Sequence, residues 1–190
     1  MDTKHIQLPL TEESIAGLRA GDSVLLSGTV YTGRDAAHKR IAKAIGDGAP
    51  LPFDLNGATV YYVGPAPAYK DQPVGAAGPT TSYRMDAYTP LLLAHGLKGM
   101  IGKGDRSDEV ISAIKRNKAV YFAAVGGAAA LLAKHIRSSR VICYEDLGTE
   151  AVHEFVLDEF PVIVAIDSNG EDIYKSGRSA FLESVGKDPR

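Results

Sequence analysis

Hydrophobic and polar positions along the chain switch between two periods. Asp22–Gly28 (DSVLLSG) is an apolar run closed by glycine and predicts a buried strand. From Arg34 to Ile45, Ala37, Ile41, Ala44 and Ile45 recur at helical spacing, and Gly46 and Gly48 end the segment. Thr59–Val63 (TVYYV) is β-branched and aromatic, hence a strand. Met85 to His95 carries Leu91, Leu92 and Leu93 and stops at Gly96, which predicts a helix with a glycine end signal. Gly99–Ile101 reads as a short strand, Ser107–Lys118 as an amphipathic helix, Ala119–Val125 as a strand and Gly127–Ile136 as a helix. Arg140–Tyr144 and Pro161–Asp167 are strands, and Asn169-Gly170 is a turn ahead of Glu171–Tyr174. This alternation predicts a layered α/β domain. The stretch from Val141 onward adds further β structure, so a purely parallel sheet is not expected.

Residues 64–80 (GPAPAYKDQPVGAAGPT) break both periods. They are either a linker between domains or an ordered functional loop. With no repeat or low-complexity tract, one domain over residues 1–190 is the expectation. The most apolar stretch, Ala119 to Ala133, is broken by Gly126-Gly127 and closed by Lys134. It is shorter than the ~18 residues a membrane span needs. The start, MDTKHIQLPLTEE, has no apolar signal core and carries acidic residues, so the cytoplasm is the default compartment.

Composition changes the picture in two places. Lys+Arg is 21 against Asp+Glu 23, a net charge of -2, which leaves no electrostatic footprint for nucleic acid or an anionic membrane. A single cysteine excludes an internal disulfide and a self-sufficient iron–sulfur or zinc–thiolate site within one chain.

Three clusters place glycines beside a cation or hydroxyls at a strand–helix boundary. In Thr32-Gly33-Arg34-Asp35-Ala36-Ala37-His38, a helix starting here would put Arg34 and His38 on one face above free N–H groups, a good carboxylate receptor. Asp35 capping the helix and pairing with Arg34 on the surface explains the same residues. In Gly78-Pro79-Thr80-Thr81-Ser82-Tyr83-Arg84-Met85-Asp86, one hydroxyl would suffice as a cap. Three hydroxyls plus a cation suit an anion nest. In Gly102-Lys103-Gly104, the glycines free Lys103 to point into a site, although a surface turn fits equally. Neither a Walker A loop nor a dinucleotide fingerprint is present.

Other signals are weaker. Gly126-Gly127 fits tight packing better than anion binding. His5, His95, His135 and His153 lack metal-ligand spacing, and Cys143 in VICY reads as an inert thiol. Glu150, Glu154, Asp158 and Glu159 read as a solvated acidic face. Together the residues support a pocket for an anionic metabolite in which Arg34, Arg84 and Lys103 grip a dicarboxylate beside Thr80. Binding and chemistry both remain open at that point.

The three clusters, with Gly33-Arg34-Asp35-Ala36-Ala37-His38-Lys39-Arg40 first and Gly96-Leu97-Lys98-Gly99-Met100-Ile101-Gly102-Lys103-Gly104 last, resemble the beta subunit of class I fumarate hydratase and L(+)-tartrate dehydratase. The likeness runs from the LSGTVYTGR region to Glu154-Phe155-Val156 and Phe160-Pro161. It implies a swivelling β/β/α three-layer domain and reversible hydration of a dicarboxylate. It also implies a 4Fe–4S cluster held by a partner alpha subunit and not by this chain, in a hetero-oligomer. By motif position it makes Thr80 the base, with Asp35 and His38 assisting. Arg34, Thr81, Ser82, Arg84 and Lys103 would bind substrate, and Tyr83 would tune the choice of substrate. The resemblance does not separate fumarate/(S)-malate from tartrate. A stand-alone dicarboxylate-binding regulatory domain is the rival expectation.

Overall fold

The structure is a computed structural model that describes residues 3–125 and 127–177. Its described strands are Lys4–Gln7 (β1), Ser23–Thr32 (β2), Thr59–Tyr61 (β3), Gly99–Gly102 (β4), Val120–Ala123 (β5), Ile136–Cys143 (β6) and Val152–Ile166 (β7). The helices include Glu12–Ala16 (α1), Asp35–Gly46 (α2), Thr89–Ala94 (α3), Asp108–Asn117 (α4) and Ala129–Ala133 (α5). Two 3-10 segments, Ser82–Met85 and Glu145–Glu150, lie in the connections. The chain is thus mixed α/β, with a 7-stranded sheet in the order β1-β2-β3-β4-β5-β7-β6. Strands β1 to β5 run parallel, and β7 is antiparallel to each of its neighbours. Along one edge β7 pairs with β2 from Glu154 to Ile163; along the other it pairs first with β6 and then with β5. The β2–β7 pairing therefore closes β2, β3, β4, β5 and β7 into a ring.

Side chains alternate across this ring with the two-residue period of a strand. Tyr61, Ile101 and Phe122 join Leu26, Val30, Phe155 and Phe160 in one apolar cluster. Their neighbours Val60, Met100 and Tyr121 join a second cluster with Ile41 of α2, Leu92 and Leu93 of α3, and Ile114 of α4. Burial on both faces explains why β3 to β5 read in sequence as continuous apolar runs.

Differences from the sequence pattern have local causes. Strand β2 runs on through Gly28, where the register shifts after Leu26 and φ is 117°. A Cβ there would lie 2.7 Å from the Leu8 carbonyl, so glycine lets the strand bulge instead of ending. The helix expected over Met85–His95 is a 3-10 turn followed by α3, with Pro90 in the first turn of α3 where no N–H is needed. The helix expected over Gly127–Ile136 shortens to α5, because Ile136 already pairs with Leu157 at the start of β6. Strand β7 begins at Val152, well before Pro161. In its first half buried Val152, Phe155, Leu157 and Phe160 are separated by one or two less buried residues, which a search for apolar runs passes over. Strand β1 and helix α1 were not anticipated, although Thr11 and Ser14 form a reciprocal capping box at the start of α1.

Of the two readings of residues 64–80, the ordered loop is the one found. The Ala66 N–H donates to the Ala76 carbonyl at 2.9 Å and that of Gly75 to the Ala66 carbonyl at 3.0 Å. Tyr61 Oη and the Ala77 N–H anchor the loop to the Ala77 and Ala129 carbonyls, respectively. Among the described residues no helix is long and apolar enough to cross a membrane.

Candidate active site

Three predicted clusters emerge at one end of the parallel strands. Arg34 follows β2, the loop carrying Thr80 follows β3, and Lys103 follows β4. The carboxyl ends of parallel strands are where α/β sheets bind ligands, because successive crossover connections converge there. Strand β7 starts at the same end, with Glu154 opposite Tyr31, so Glu150 arrives beside the end of β2.

Backbone hydrogen bonds stitch two of these clusters together. The Thr80 N–H donates to the Tyr62 carbonyl at 2.7 Å, and the Ser82 N–H donates to the Lys103 carbonyl at 2.9 Å. Lys103 N–H reaches the Thr80 carbonyl at 3.3 Å, and Thr81 and Lys103 form a parallel bridge. This short ladder leaves the side chains of Thr80 and Thr81 half-buried and that of Lys103 exposed. Among the described residues, neither Thr80 Oγ1 nor Lys103 Nζ has a hydrogen-bond or ion-pair partner.

The first cluster joins through ion pairs. Arg84 Nε donates to Asp35 Oδ1 at 2.9 Å, and its Nη2 lies 2.8 Å from Oδ2 as an ionic contact without hydrogen-bond geometry. Asp35 therefore ties α2 to the Ser82–Met85 turn. It neither caps the helix nor pairs with Arg34, which corrects the simpler explanation of this motif. Arg34 is itself the N-cap residue and makes no side-chain cap. Its Nη2 lies 3.4 Å from Glu150 Oε1, and Glu150 Oε2 accepts the Ala36 N–H at 3.0 Å.

Ser82 and His38 lie beneath this surface, contrary to the expectation of ligand contact. Ser82 is fully buried and its Oγ is 2.8 Å from Tyr121 Oη. Tyr121 has one hydroxyl proton, which goes to the Gly104 carbonyl at 2.8 Å, so the serine donates to the tyrosine. Burial raises the Tyr121 pKa above its ordinary value, which keeps that proton in place. Ser82 thus braces the loops from below. Gly102 is small for the same reason: a Cβ there would lie 2.0 Å from Ser82 Oγ and 2.9 Å from the Tyr62 ring. Deeper still, Arg106 has a side chain 0% exposed, and its Nε donates to Asp86 Oδ1 at 2.7 Å. Its guanidinium carbon lies 5.4 and 5.0 Å from the Tyr62 and Tyr121 ring centres.

His38 is fully buried, edge-on to Tyr62, and its Nδ1 donates to the Arg34 carbonyl at 2.9 Å. Burial, with the Arg106 charge adding to it, lowers its pKa from 6.5 to about 4, so the ring is neutral near pH 7. The unfolded chain then binds the extra proton first. The stabilisation is complete above pH 6.5 and is lost as pH falls toward 4. At about 1.4 kcal/mol per pKa unit, this is on the order of 3 kcal/mol. Thermal melts of wild type and His38→Gln are expected to converge as pH falls through that window. A constant gap in Tm from pH 7 to 4 would contradict it.

The motifs contain the cations but not Glu150, which pairs with Arg34, nor Tyr121 and Arg106, which support the loops from below. Glu150, which the sequence pattern assigns to a solvated acidic face, is half-buried and engaged twice. Glu154 and Asp158 do sit on exposed arginines, Arg140 and Arg137. The 3-10 helix before β7 gave no motif, and a lone glutamate at its end carries no signal by itself. Gly126 lies outside the described residues; Gly127 is exposed with φ 85°. Among the described residues no three His, Cys, Asp or Glu side chains are grouped as metal ligands. Cys143 is half-buried in β6, and burial pushes its thiol up to about 11. The donor set of this chain does not fit a cluster.

The family model described as fumarase C-terminus matches residues 1–177. A protein of Methanocaldococcus jannaschii named putative L(+)-tartrate dehydratase subunit beta is 37% identical over 184 residues, which is 94% of this chain and 94% of that one. Fumarate hydratase 2 of Leishmania major is 37% identical over 156 residues, covering 81% of this chain but 28% of its own length. A putative fumarate hydratase class I of Geobacillus stearothermophilus is 34% identical over 188 residues, 96% of this chain and 35% of its own. The chain therefore spans about a third or less of these two hydratases and nearly all of the archaeal subunit.

Proposed function

The chain belongs to the fumarase C-terminal family, and we propose that it forms the base-bearing, carboxylate-gripping part of a hydro-lyase that interconverts fumarate and (S)-malate. The observation that carries this reading is the contact chain from Lys103 through Thr80–Ser82 and Arg84 to Asp35 at the start of α2, beside Arg34. It links the segments that carry three cationic residues to a threonine whose hydroxyl is not engaged elsewhere among the described residues, which supports this reading. Asp35 and Glu150 offset part of the charge of Arg84 and Arg34, and the guanidinium donors that those carboxylates leave over suit a substrate carboxylate, with Lys103 left for developing negative charge.

In the dehydration direction Thr80 Oγ1 takes the proton from the carbon next to a carboxylate. Arg34 and Arg84 hold the carboxylates, and Lys103 lies against the enolate-like charge and favours the alkoxide form of Thr80. Thr81 and Tyr83 line the rim, where Tyr83 is 63% exposed. Asp35 orients Arg84, while His38 and Ser82 support the loops. The hydroxyl on the neighbouring carbon leaves as hydroxide, whose charge the 4Fe–4S cluster implied by the resemblance, held by a partner alpha chain, would take up as a Lewis acid. The name of the archaeal relative, a beta subunit, supports such a partner and a hetero-oligomer. The match over residues 1–177 supports a single domain, and the two apolar clusters flanking the ring suit a swivelling β/β/α arrangement.

The nearly end-to-end match to that archaeal subunit favours a second reading, in which L(+)-tartrate is dehydrated to oxaloacetate. Calorimetric titration of the chain with malate, fumarate and tartrate, alone and with its partner, tests the divided site. Weak or absent binding by the chain alone and clear binding by the complex is expected. Tight binding without a partner would favour a stand-alone binding domain instead.

A further inference from the structure

Glu150 ends the 3-10 segment ahead of β7 and belongs to none of the motifs that identify the family. Its carboxylate nevertheless serves two groups at the site. One oxygen takes the Ala36 N–H, a first-turn donor of α2 that Arg34 as N-cap residue leaves unsatisfied, and the other lies 3.4 Å from Arg34 Nη2.

The opposite side of Arg34 is walled by Gly64, on the loop after β3. A Cβ at Gly64 would lie 2.8 Å from Arg34 Nη1, 3.1 Å from its Cδ and 3.0 Å from the Thr149 carbonyl. The side chain therefore runs through a slot built by α2, the post-β3 loop and the segment before β7. Its Nε is buried without a hydrogen-bond partner, so the guanidinium is held by one ionic contact and by shape. A free arginine loses about 2 kcal/mol of rotamer entropy on being fixed. Fixing it before substrate arrives removes that cost from binding. The Glu150 charge, balanced by Arg34 and by the positive end of α2, opposes a dianionic ligand less than a free carboxylate would.

We propose that Glu150 is a positioning residue that fixes Arg34 in this slot so that its remaining donors meet a substrate carboxylate. The functional part rests on the hydro-lyase reading above. Glu150→Gln keeps an acceptor for the Ala36 N–H and removes the charge facing Arg34; Gly64→Ala keeps the Glu150 carboxylate and crowds the slot at Arg34 and at the Thr149 carbonyl.

Two measurements separate the possibilities. In the chain itself, nitrogen-15 NMR of the Arg34 Nε–H is expected to show slow exchange in the wild type and at least about tenfold faster exchange in Glu150→Gln, at nearly unchanged Tm. In the assembled enzyme, Glu150→Gln and Gly64→Ala are each expected to raise KM about tenfold and to leave kcat within about threefold, the pattern of lost substrate binding. A purely structural role would instead lower Tm and kcat with little change at Arg34. Unchanged Arg34 exchange in Glu150→Gln overturns the proposal whatever the enzyme does. Faster exchange with wild-type KM in an active complex overturns its functional half. Should the wild-type complex show no hydration activity, the hydro-lyase reading falls, and the NMR result still decides whether Glu150 holds Arg34.

Discussion

Replacing Thr80 by alanine in the assembled enzyme lowers kcat by about 10²–10⁴-fold while KM for the dicarboxylate moves by less than about threefold, the expected signature of a lost proton-transfer group. The backbone of Thr80 is fixed by the Tyr62 carbonyl and by Lys103, so alanine leaves the ladder in place. The hydroxyl makes no hydrogen bond among the described residues, so its removal breaks no structural contact there. Arg34, Arg84 and Lys103 all persist, and substrate binding persists with them. Thr80→Ser, which restores a hydroxyl without the methyl group, recovers a large part of the rate. Steady-state kinetics checks both variants, and near-normal turnover in Thr80→Ala would remove the residue from the base role.

The largest effect on stability is expected one layer lower. Asp86 faces Arg106, whose guanidinium also donates to Thr89 Oγ1 at 2.8 Å and contacts Met100 Sδ. Asp86 Oδ2 further accepts the Ser107 N–H at the N-cap of α4. Asp86→Ala strands a cation whose side chain is 0% exposed, and breaking a buried pair from one side costs about 3–5 kcal/mol. For a chain of this size that corresponds to a Tm lower by roughly 6–20 °C. Adding Arg106→Met should recover part of the loss, because an apolar side chain leaves no stranded charge between the Tyr62 and Tyr121 rings. A single variant that melts like wild type, or a double variant worse than the sum of the singles, would contradict this description.

The sequence made the site legible where several unusual residues fell together. Glycines beside a cation marked Arg34 and Lys103, and three hydroxyls beside a cation marked Thr80 and Arg84. It was silent where the geometry of the site rests on one ordinary residue arriving from far along the chain, such as Glu150, which meets Ala36 across 114 residues. Hydroxyl count also misled. Ser82 shares a motif with Thr80 and Thr81, yet the turn starting at Ser82 points it down toward Tyr121. In the fold, apolar runs located β3, β4 and β5, because both faces of these strands are covered. The same criterion missed the first half of β7, where the buried residues of VHEFVLDEF are separated by one or two polar or exposed ones. Closure of the ring was illegible altogether. It depends on one 15-residue strand pairing with β2 on one side and exchanging β6 for β5 on the other, a long-range match that local pattern does not encode.

The lone cysteine, Cys143, lies in β6 with its thiol pKa raised, and among the described residues no group of side chains is placed to hold a cluster, in keeping with the proposed division of the site. Anaerobic hydration of fumarate, followed with the purified chain alone, with a cluster-bearing alpha chain alone and with the two combined, addresses this division directly. Turnover only in the combined sample is the expected result. Full hydration activity from the isolated chain would contradict a site divided between two polypeptides.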